Sequence, residues 1–192
     1  MRSIGVFGGA FNPPHLGHLR LARYFADKLY LARVRVIPSH LSVHKSSEDL
    51  APAEDRLEMC RLLFSGDRFE VNDMEISRGG KSYTYDSLLE ISRELPDHQI
   101  FLIMGSDMFE SFHTWYRYED ILKMATVCTA RRQEGLALEE NPYGALIADL
   151  PPLEISSSMV RQAVEKGQDI EAYTGPKVAG YVKDRGLYLA KT

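Results

Sequence analysis

The sequence predicts an α/β fold: a doubly wound, mostly parallel sheet with helices on both faces and a small helical part from about residue 155 to 192. Three observations predict it. Short apolar runs bounded by turn residues alternate with longer stretches in which apolar residues recur at helical spacing. Gly8, Pro38 and Gly105 each stand at the end of such a run. A chain of 192 residues is also long enough to bury a substantial core as one domain. Repeated strand–helix alternation places helices on both faces of a parallel sheet. Ligands of such sheets bind beyond the carboxyl ends of the strands, where those three turns can converge.

Taken in order, Ile4–Phe7 reads as a buried strand, and Leu16, Leu19, Ala22, Ala26 and Leu29 mark the following helix. Val34–Ile37 is a second strand, ended by Pro38. Ser39–Leu50 is polar without periodicity and reads as a loop containing His40, His44 and Lys45. A helix starts near Pro52, its turns marked by Arg56, Leu57, Cys60, Leu63 and Phe64. Phe69–Val71 is a third strand and Glu75–Ser77 a shorter extended piece. After the Gly79-Gly80 turn, Ser82–Thr84 leads into a helix carrying Leu88, Leu89 and Ile91 and ended by Pro96. Ile100–Met104 is a strand, followed by an aromatic loop around Trp115 and a helix over Tyr118–Met124. Thr126–Ala130 is another strand, Arg131–Pro142 is polar, and Leu146–Ala148 adds an edge strand. Ser156 opens a helix reaching about Glu165, and Pro176 suits the first turn of a last helix ending before Gly186.

A formal charge of −4 argues against a general nucleic-acid binder, which usually carries a basic balance. No apolar run is long enough to cross a membrane as a helix, and no signal peptide opens the chain, so a cytoplasmic location is expected. Cys60 and Cys128 stand alone in apolar surroundings without metal-ligand spacing, which predicts reduced core thiols. Whether the chain forms a homo-oligomer stays open.

The chemistry concentrates in GGAFNPPHLGH, Gly8 to His18, at the turn between the first strand and its helix. Gly8 and Gly9 lack a Cβ, so backbone can approach a ligand closely there. Pro13 and Pro14 stiffen the entry to the helix. His15 and His18, three residues apart, fall on neighbouring parts of one helix face. Free N–H groups and the positive end of the helix dipole favour an anion at that point, above all a phosphate.

A second such end is ISSSMVR, Ile155 to Arg161. Ser156 suits an N-cap, Ser157 and Ser158 add donors, and Arg161 offers a planar fork for phosphate oxygens one turn further on. Standing alone, this string reads better as a capped helix with a solvated arginine.

Together these strings resemble the signatures of the HxGH nucleotidyltransferases, and over nearly the whole chain the sequence is similar to the bacterial nicotinate-nucleotide adenylyltransferase family. The matching stretches are GGAFNPPHLGH, Pro38 with His44-Lys45, SRGGKSYTYDSL from Ser77, GSDMFESFHTWYRYEDIL from Gly105, and ISSSMVR. The resemblance implies a Rossmann-like fold and transfer of AMP from ATP to nicotinate mononucleotide, with Mg²⁺ accompanying ATP. It places His15 and His18 in catalysis, and Gly8, Gly9, Lys45, Gly105, Asp107, Ile155, Ser156, Ser158 and Arg161 around ATP. It puts the main-chain N–H groups of Tyr83 and Thr84 at the nicotinate carboxylate and the Trp115 indole on the pyridine ring. Read without the family, Trp115 equally suits a core anchor, Tyr83 a packed loop residue, Asp107 a helix cap, and Arg131 and Arg132 a solvated loop.

The chain departs from the family pattern at three points. Ala10 stands where a hydroxyl residue is often found, Asn12 where aspartate is common, and PSHLSVHK lacks the proline usual before its His-Lys pair. None removes a group that the chemistry requires. Rival readings are a nicotinamide-mononucleotide or a phosphopantetheine adenylyltransferase, and a nucleotide sensor without catalysis.

Overall fold

The computed structural model describes residues 2–42, 50–130, 141–151 and 154–190. In chain order the elements are β1 (Arg2–Gly9), α1 (Leu16–Lys28), β2 (Arg33–Pro38), β3 (Leu41–Ser42), α2 (Ala53–Leu63), β4 (Phe69–Val71) and α3 (Met74–Arg78). They continue with β5 (Lys81–Ser82), α4 (Thr84–Glu94), β6 (His98–Ile103), α5 (Ser106–Glu110), a 3₁₀ turn (Phe112–Thr114) and α6 (Tyr118–Met124). The chain closes with β7 (Ala125–Ala130), β8 (Leu146–Ala148), α7 (Ser157–Glu165), α8 (Glu171–Thr174) and α9 (Pro176–Arg185).

The main sheet has the order β4-β2-β1-β6-β7-β8, and every pairing in it is parallel. The central stretches of β1, β6 and β7 are apolar because both faces are covered, whereas β2 carries Arg35, paired with Glu70 and Glu94. Alternation sends neighbouring side chains to opposite layers. Ile4, Val6, Ile100, Leu102 and Met104 pack with Leu88, Ile91, Phe112 and Ile121 of the α4–α6 layer. Phe7, Phe101 and Ile103 join Ala22, Phe25, Met59, Cys60, Val160, Val178 and Val182 on the other side. Gly5 leaves room for this second layer: a Cβ there would lie 2.9 Å from Leu31 Cδ1. The expected doubly wound α/β sheet is the observed fold.

The chain runs outward from β1 through β2 to β4, then returns to lay β6 on β1's other edge. That reversal opens a crevice at the carboxyl ends of β1 and β6. Among the described residues no helix is long and apolar enough to cross a membrane.

Three expectations need correction. Glu75–Ser77 is not extended but lies within α3, which Asn72 initiates by accepting the Met74 N–H at 2.9 Å. Five residues are too few for helical periodicity to show. The loop after Pro38 contains β3, which pairs in parallel with β5, and such two-residue strands carry no sequence pattern. The short helix α8 was also not expected. His44 and Lys45, with Arg131 and Arg132, lie outside the described residues.

Candidate active site

A cleft of about 840 Å³ opens at the β1/β6 switch point. It receives Gly8, Gly9, His15 and His18 from the β1–α1 turn and Ile155, Ser156, Ser158 and Arg161 from the start of α7. Gly105 and Asp107 reach it after β6, and Tyr83, Thr84 and Trp115 line its other side. Of the residues expected at the site, every one within the described segments borders this cleft.

The histidine spacing has a local cause. His15 is the N-cap of α1 and is nearly buried, at 7% exposure. Its N–H donates to His18 Nδ1 at 3.1 Å, and the two rings lie close, tilted by 33° with centroids 3.7 Å apart. An accepting Nδ1 leaves the proton of a neutral His18 ring on Nε2, the nitrogen that can donate onward. Gly17 between them leaves room for the His15 ring, because a Cβ there would stand 3.0 Å from His15 Nδ1. Gly8 differs: a Cβ there would meet nothing within 4 Å, so it faces open cleft rather than protein.

The two distant motifs are joined directly. Ser156 caps α7 by accepting the Met159 N–H at 3.2 Å. Ser157 Oγ donates to the Pro13 carbonyl at 2.9 Å, and Arg161 Nη1 donates to the Asn12 carbonyl at 2.9 Å. Arg161 Nη2 reaches Ser158 Oγ at 3.4 Å, which holds the guanidinium along the cleft wall. The Asn12 side-chain oxygen accepts from the Ala51 N–H at 3.0 Å and from the Tyr188 hydroxyl at 2.8 Å. That neutral acceptor holds the turn without adding a carboxylate beside a phosphate site. Asp55 anchors the C-terminal helix, accepting from Tyr181 at 2.8 Å and Arg185 at 3.0 Å.

Sequence reasoning passed over several residues here. Arg56 is 1% exposed, and burial lowers its pKa. It donates to the carbonyls of Ala10 at 2.7 Å, His40 at 3.0 Å and Ala51 at 3.0 Å. A charged residue among Leu57, Cys60 and Leu63, on the apolar face of a helix, was the available signal. His40 is tied to the β5 segment: its N–H donates to Ser82 Oγ and its Nδ1 meets the Gly80 carbonyl, each at 3.0 Å. Arg20 and Tyr116 also border the cleft.

On the far side Tyr83 is the N-cap of α4, so the first N–H groups of that helix open near Tyr83 and Thr84. Trp115 packs edge-on against Phe112, with centroids 5.3 Å apart, and keeps part of its ring in the cleft. Tyr116, 53% exposed, lies 5.0 Å from Tyr83, and the Arg117 guanidinium sits 4.1 Å over the Tyr85 ring. Glu75 is largely buried but borders the cleft in this wall, and it accepts from Ser87 Oγ at 2.6 Å; burial raises its pKa. Gly105, the N-cap of α5, gives room to Asp107, whose Oδ1 would lie 2.7 Å from a Cβ there. Asp107 therefore sits in the first turn of a helix rather than at its cap.

The buried cysteines carry no chemistry for the cleft. Both are unbridged, with Cys128 pushed up to about 12 and Cys60 also raised, in each case by burial. Among the described residues no group of three His, Cys, Asp or Glu side chains gathers as a metal site.

Comparison with known proteins agrees with this arrangement. The cytidylyltransferase-like family model matches residues 6–163. A protein of Listeria welshimeri, named "Probable nicotinate-nucleotide adenylyltransferase", is 38% identical over 98% of this chain and 98% of its own. A protein of the same name from Geobacillus thermodenitrificans is 36% identical over 100% of this chain and 88% of its own. The structure of Plasmodium falciparum nicotinic acid mononucleotide adenylyltransferase complexed with NaAD shares the fold, with a TM-score of 0.81 at 21% identity over 98% of each chain. By full-length similarity to its relatives and by its family match, the chain belongs to the cytidylyltransferase-like family and, within it, to the nicotinate-nucleotide adenylyltransferases.

Proposed function

We propose that the cleft transfers AMP from ATP to nicotinate mononucleotide, forming nicotinate adenine dinucleotide and pyrophosphate. The observation that carries this is the meeting of the His15–His18 turn with the Ser156–Arg161 helix start across one cavity. Two donor-rich helix ends that converge on one space suit a polyphosphate.

In this reaction the 5′-phosphate oxygen of the mononucleotide attacks the α-phosphorus of ATP, and the bond to the pyrophosphate oxygen breaks. A phosphate monoester is ionised near neutral pH, so no strong base is needed. The work left to the protein is to hold two anions together and to stabilise charge on the transferring and leaving oxygens. His15 and His18 donate to the α-phosphate region, His18 through Nε2. Arg161 and the Ser156–Ser158 segment hold the phosphates, and Lys45, which lies outside the described residues, is the further cation that the sequence motif supplies. Asp107 accepts from ribose hydroxyls beside Gly105.

Across the cleft, the opening amides of α4 at Tyr83 and Thr84 receive the pyridine carboxylate while Trp115 covers the ring. Backbone donors select an anionic carboxylate over a neutral amide, which offers only one acceptor and brings a donor of its own. Magnesium would accompany ATP as part of the substrate. The imidazoles, hydroxyls and guanidinium of the phosphate wall suit phosphate oxygens, so phosphates and water would supply most of the ion's ligands. Its contribution is Lewis-acid stabilisation of phosphate charge.

The test is pyrophosphate release measured with ATP and, in parallel, nicotinate mononucleotide, nicotinamide mononucleotide or phosphopantetheine. Fastest turnover is expected with the nicotinate compound. Equal rates with both pyridine nucleotides would remove the acid-form selectivity, and release with none would remove the reaction.

A further inference from the structure

Phe11, in the turn between β1 and α1, has a φ of 47°, in the left-handed region that bulky residues avoid. Such a backbone persists only where its surroundings impose it. Two sets of contacts do so. The phenyl ring is wedged among Phe7, Phe64 and His18, with centroids 5.3, 5.9 and 5.1 Å away. On the backbone side, Arg56 draws the Ala10 carbonyl to itself at 2.7 Å.

A trans peptide is planar, so its carbonyl and its N–H point in opposite directions. With the Ala10 carbonyl turned to Arg56, the N–H of Phe11 is turned away from α2. It has no acceptor among the described residues, and both Ala10 and Phe11 border the cleft. Arg56 does not border the cleft, and among the described residues its hydrogen bonds go to three backbone carbonyls. Among the described residues no carboxylate pairs with this buried guanidinium, a costly way to fill a helix face that an apolar side chain could fill. All three carbonyls belong to segments on the cleft rim, adjoining Phe11, Ser39 and Leu50.

We propose that Arg56 is a positioning residue for the nucleotide: by holding the Ala10 carbonyl it keeps the Phe11 N–H aimed into the cleft as a donor to phosphate oxygen. Its bonds to His40 and Ala51 hold the neighbouring rim segments in register with that amide. This rests on the adenylyl transfer proposed above. The predicted consequence is selective: loss of Arg56 harms the use of ATP and leaves recognition of the pyridine nucleotide intact.

The test uses the full chain and the variants Arg56→Met and Arg56→Lys. Steady-state pyrophosphate release gives KM for each substrate, and NMR follows the ¹⁵N-labelled Phe11 amide during titration with inorganic pyrophosphate. In Arg56→Met, KM for ATP is expected to rise roughly tenfold or more, as for a lost hydrogen bond to a charged group. KM for nicotinate mononucleotide should stay within about twofold, since distant independent sites do not couple strongly. Arg56→Lys should fall between, because one ammonium can hold Ala10 but not all three carbonyls. The wild-type Phe11 amide should shift with pyrophosphate, and that shift should shrink in Arg56→Lys.

Lower thermal stability with an unchanged KM for ATP would make Arg56 merely structural and overturn the proposal. A wild-type Phe11 amide indifferent to pyrophosphate would overturn it even if Arg56→Met fails to fold. If the wild type releases no pyrophosphate from ATP and nicotinate mononucleotide, the reaction is wrong, while the amide titration still judges Arg56.

Discussion

The two walls of the cleft are built differently. The wall formed by the β1–α1 turn is tied at residue after residue by donors from remote parts of the chain: Arg56 to Ala10, Tyr188 and Arg161 to Asn12, Ser157 to Pro13. The wall formed by Tyr83, Trp115 and Tyr116 is made of rings in contact, and its ionic support is local, as in Arg117 with Asp120 at 2.7 Å. Charge stabilisation depends steeply on where donors point, so the phosphate wall is preorganised. A flat ring tolerates small displacements along a stack, so the aromatic wall needs only shape and area.

The largest effect that could break this contrast is at His15. His15→Ala should lower kcat by roughly 10²–10³-fold, the usual loss for one donor to a developing oxyanion, with the circular dichroism spectrum unchanged. Near-normal turnover would mean that the tied wall does not hold the chemistry. Next, Arg161→Ala should raise KM for ATP by roughly tenfold or more, through loss of a charge-assisted contact, and leave the ratio between pyridine nucleotides alone. A change in that ratio would show that the two walls are not separable.

On the aromatic side, Trp115→Ala should weaken nicotinate mononucleotide by about 1–3 kcal/mol, the range for one stacked base, with KM for ATP unmoved. Selectivity for the carboxylate should survive, because it resides in the α4 amides. Competition assays with both pyridine nucleotides would decide this.

The smallest effect concerns stability. Burial raises the Glu75 pKa above its unfolded value, so this group supports the fold at acid pH and that support is lost as pH rises through the raised value. Glu75→Gln keeps an acceptor for Ser87 Oγ without the charge. Its urea midpoint should therefore gain on the wild type as pH rises from acid to neutral. A difference that is constant with pH would place Glu75 in the aromatic wall as a neutral spacer only.

Much of this was legible before any coordinates. Gly8, Gly9, His15, His18, Ser156 and Arg161 stand in short strings whose residue types state their use, because capping and phosphate approach are local demands. Alternation of buried strands with amphipathic helices likewise specified a doubly wound sheet. Arg56 was not legible as a tether, since its partners Ala10 and Ala51 contribute carbonyls, which every residue has. The pairing of β3 with β5 was hidden for the same reason. The helix α3 was too short to show a period.

What the sequence determined by itself was the local chemistry: which turns can receive an anion, which helices have a capped start, and which faces must be buried. Only the tertiary structure decided that the turn after β1 and the start of α7 share one cavity, and that Arg56, Asn12 and Tyr188 hold them together. The physical reason is range. Side-chain type and backbone preference act over a few residues, whereas a hydrogen bond between residues 144 apart exists only after the sheet has brought both ends to the same edge.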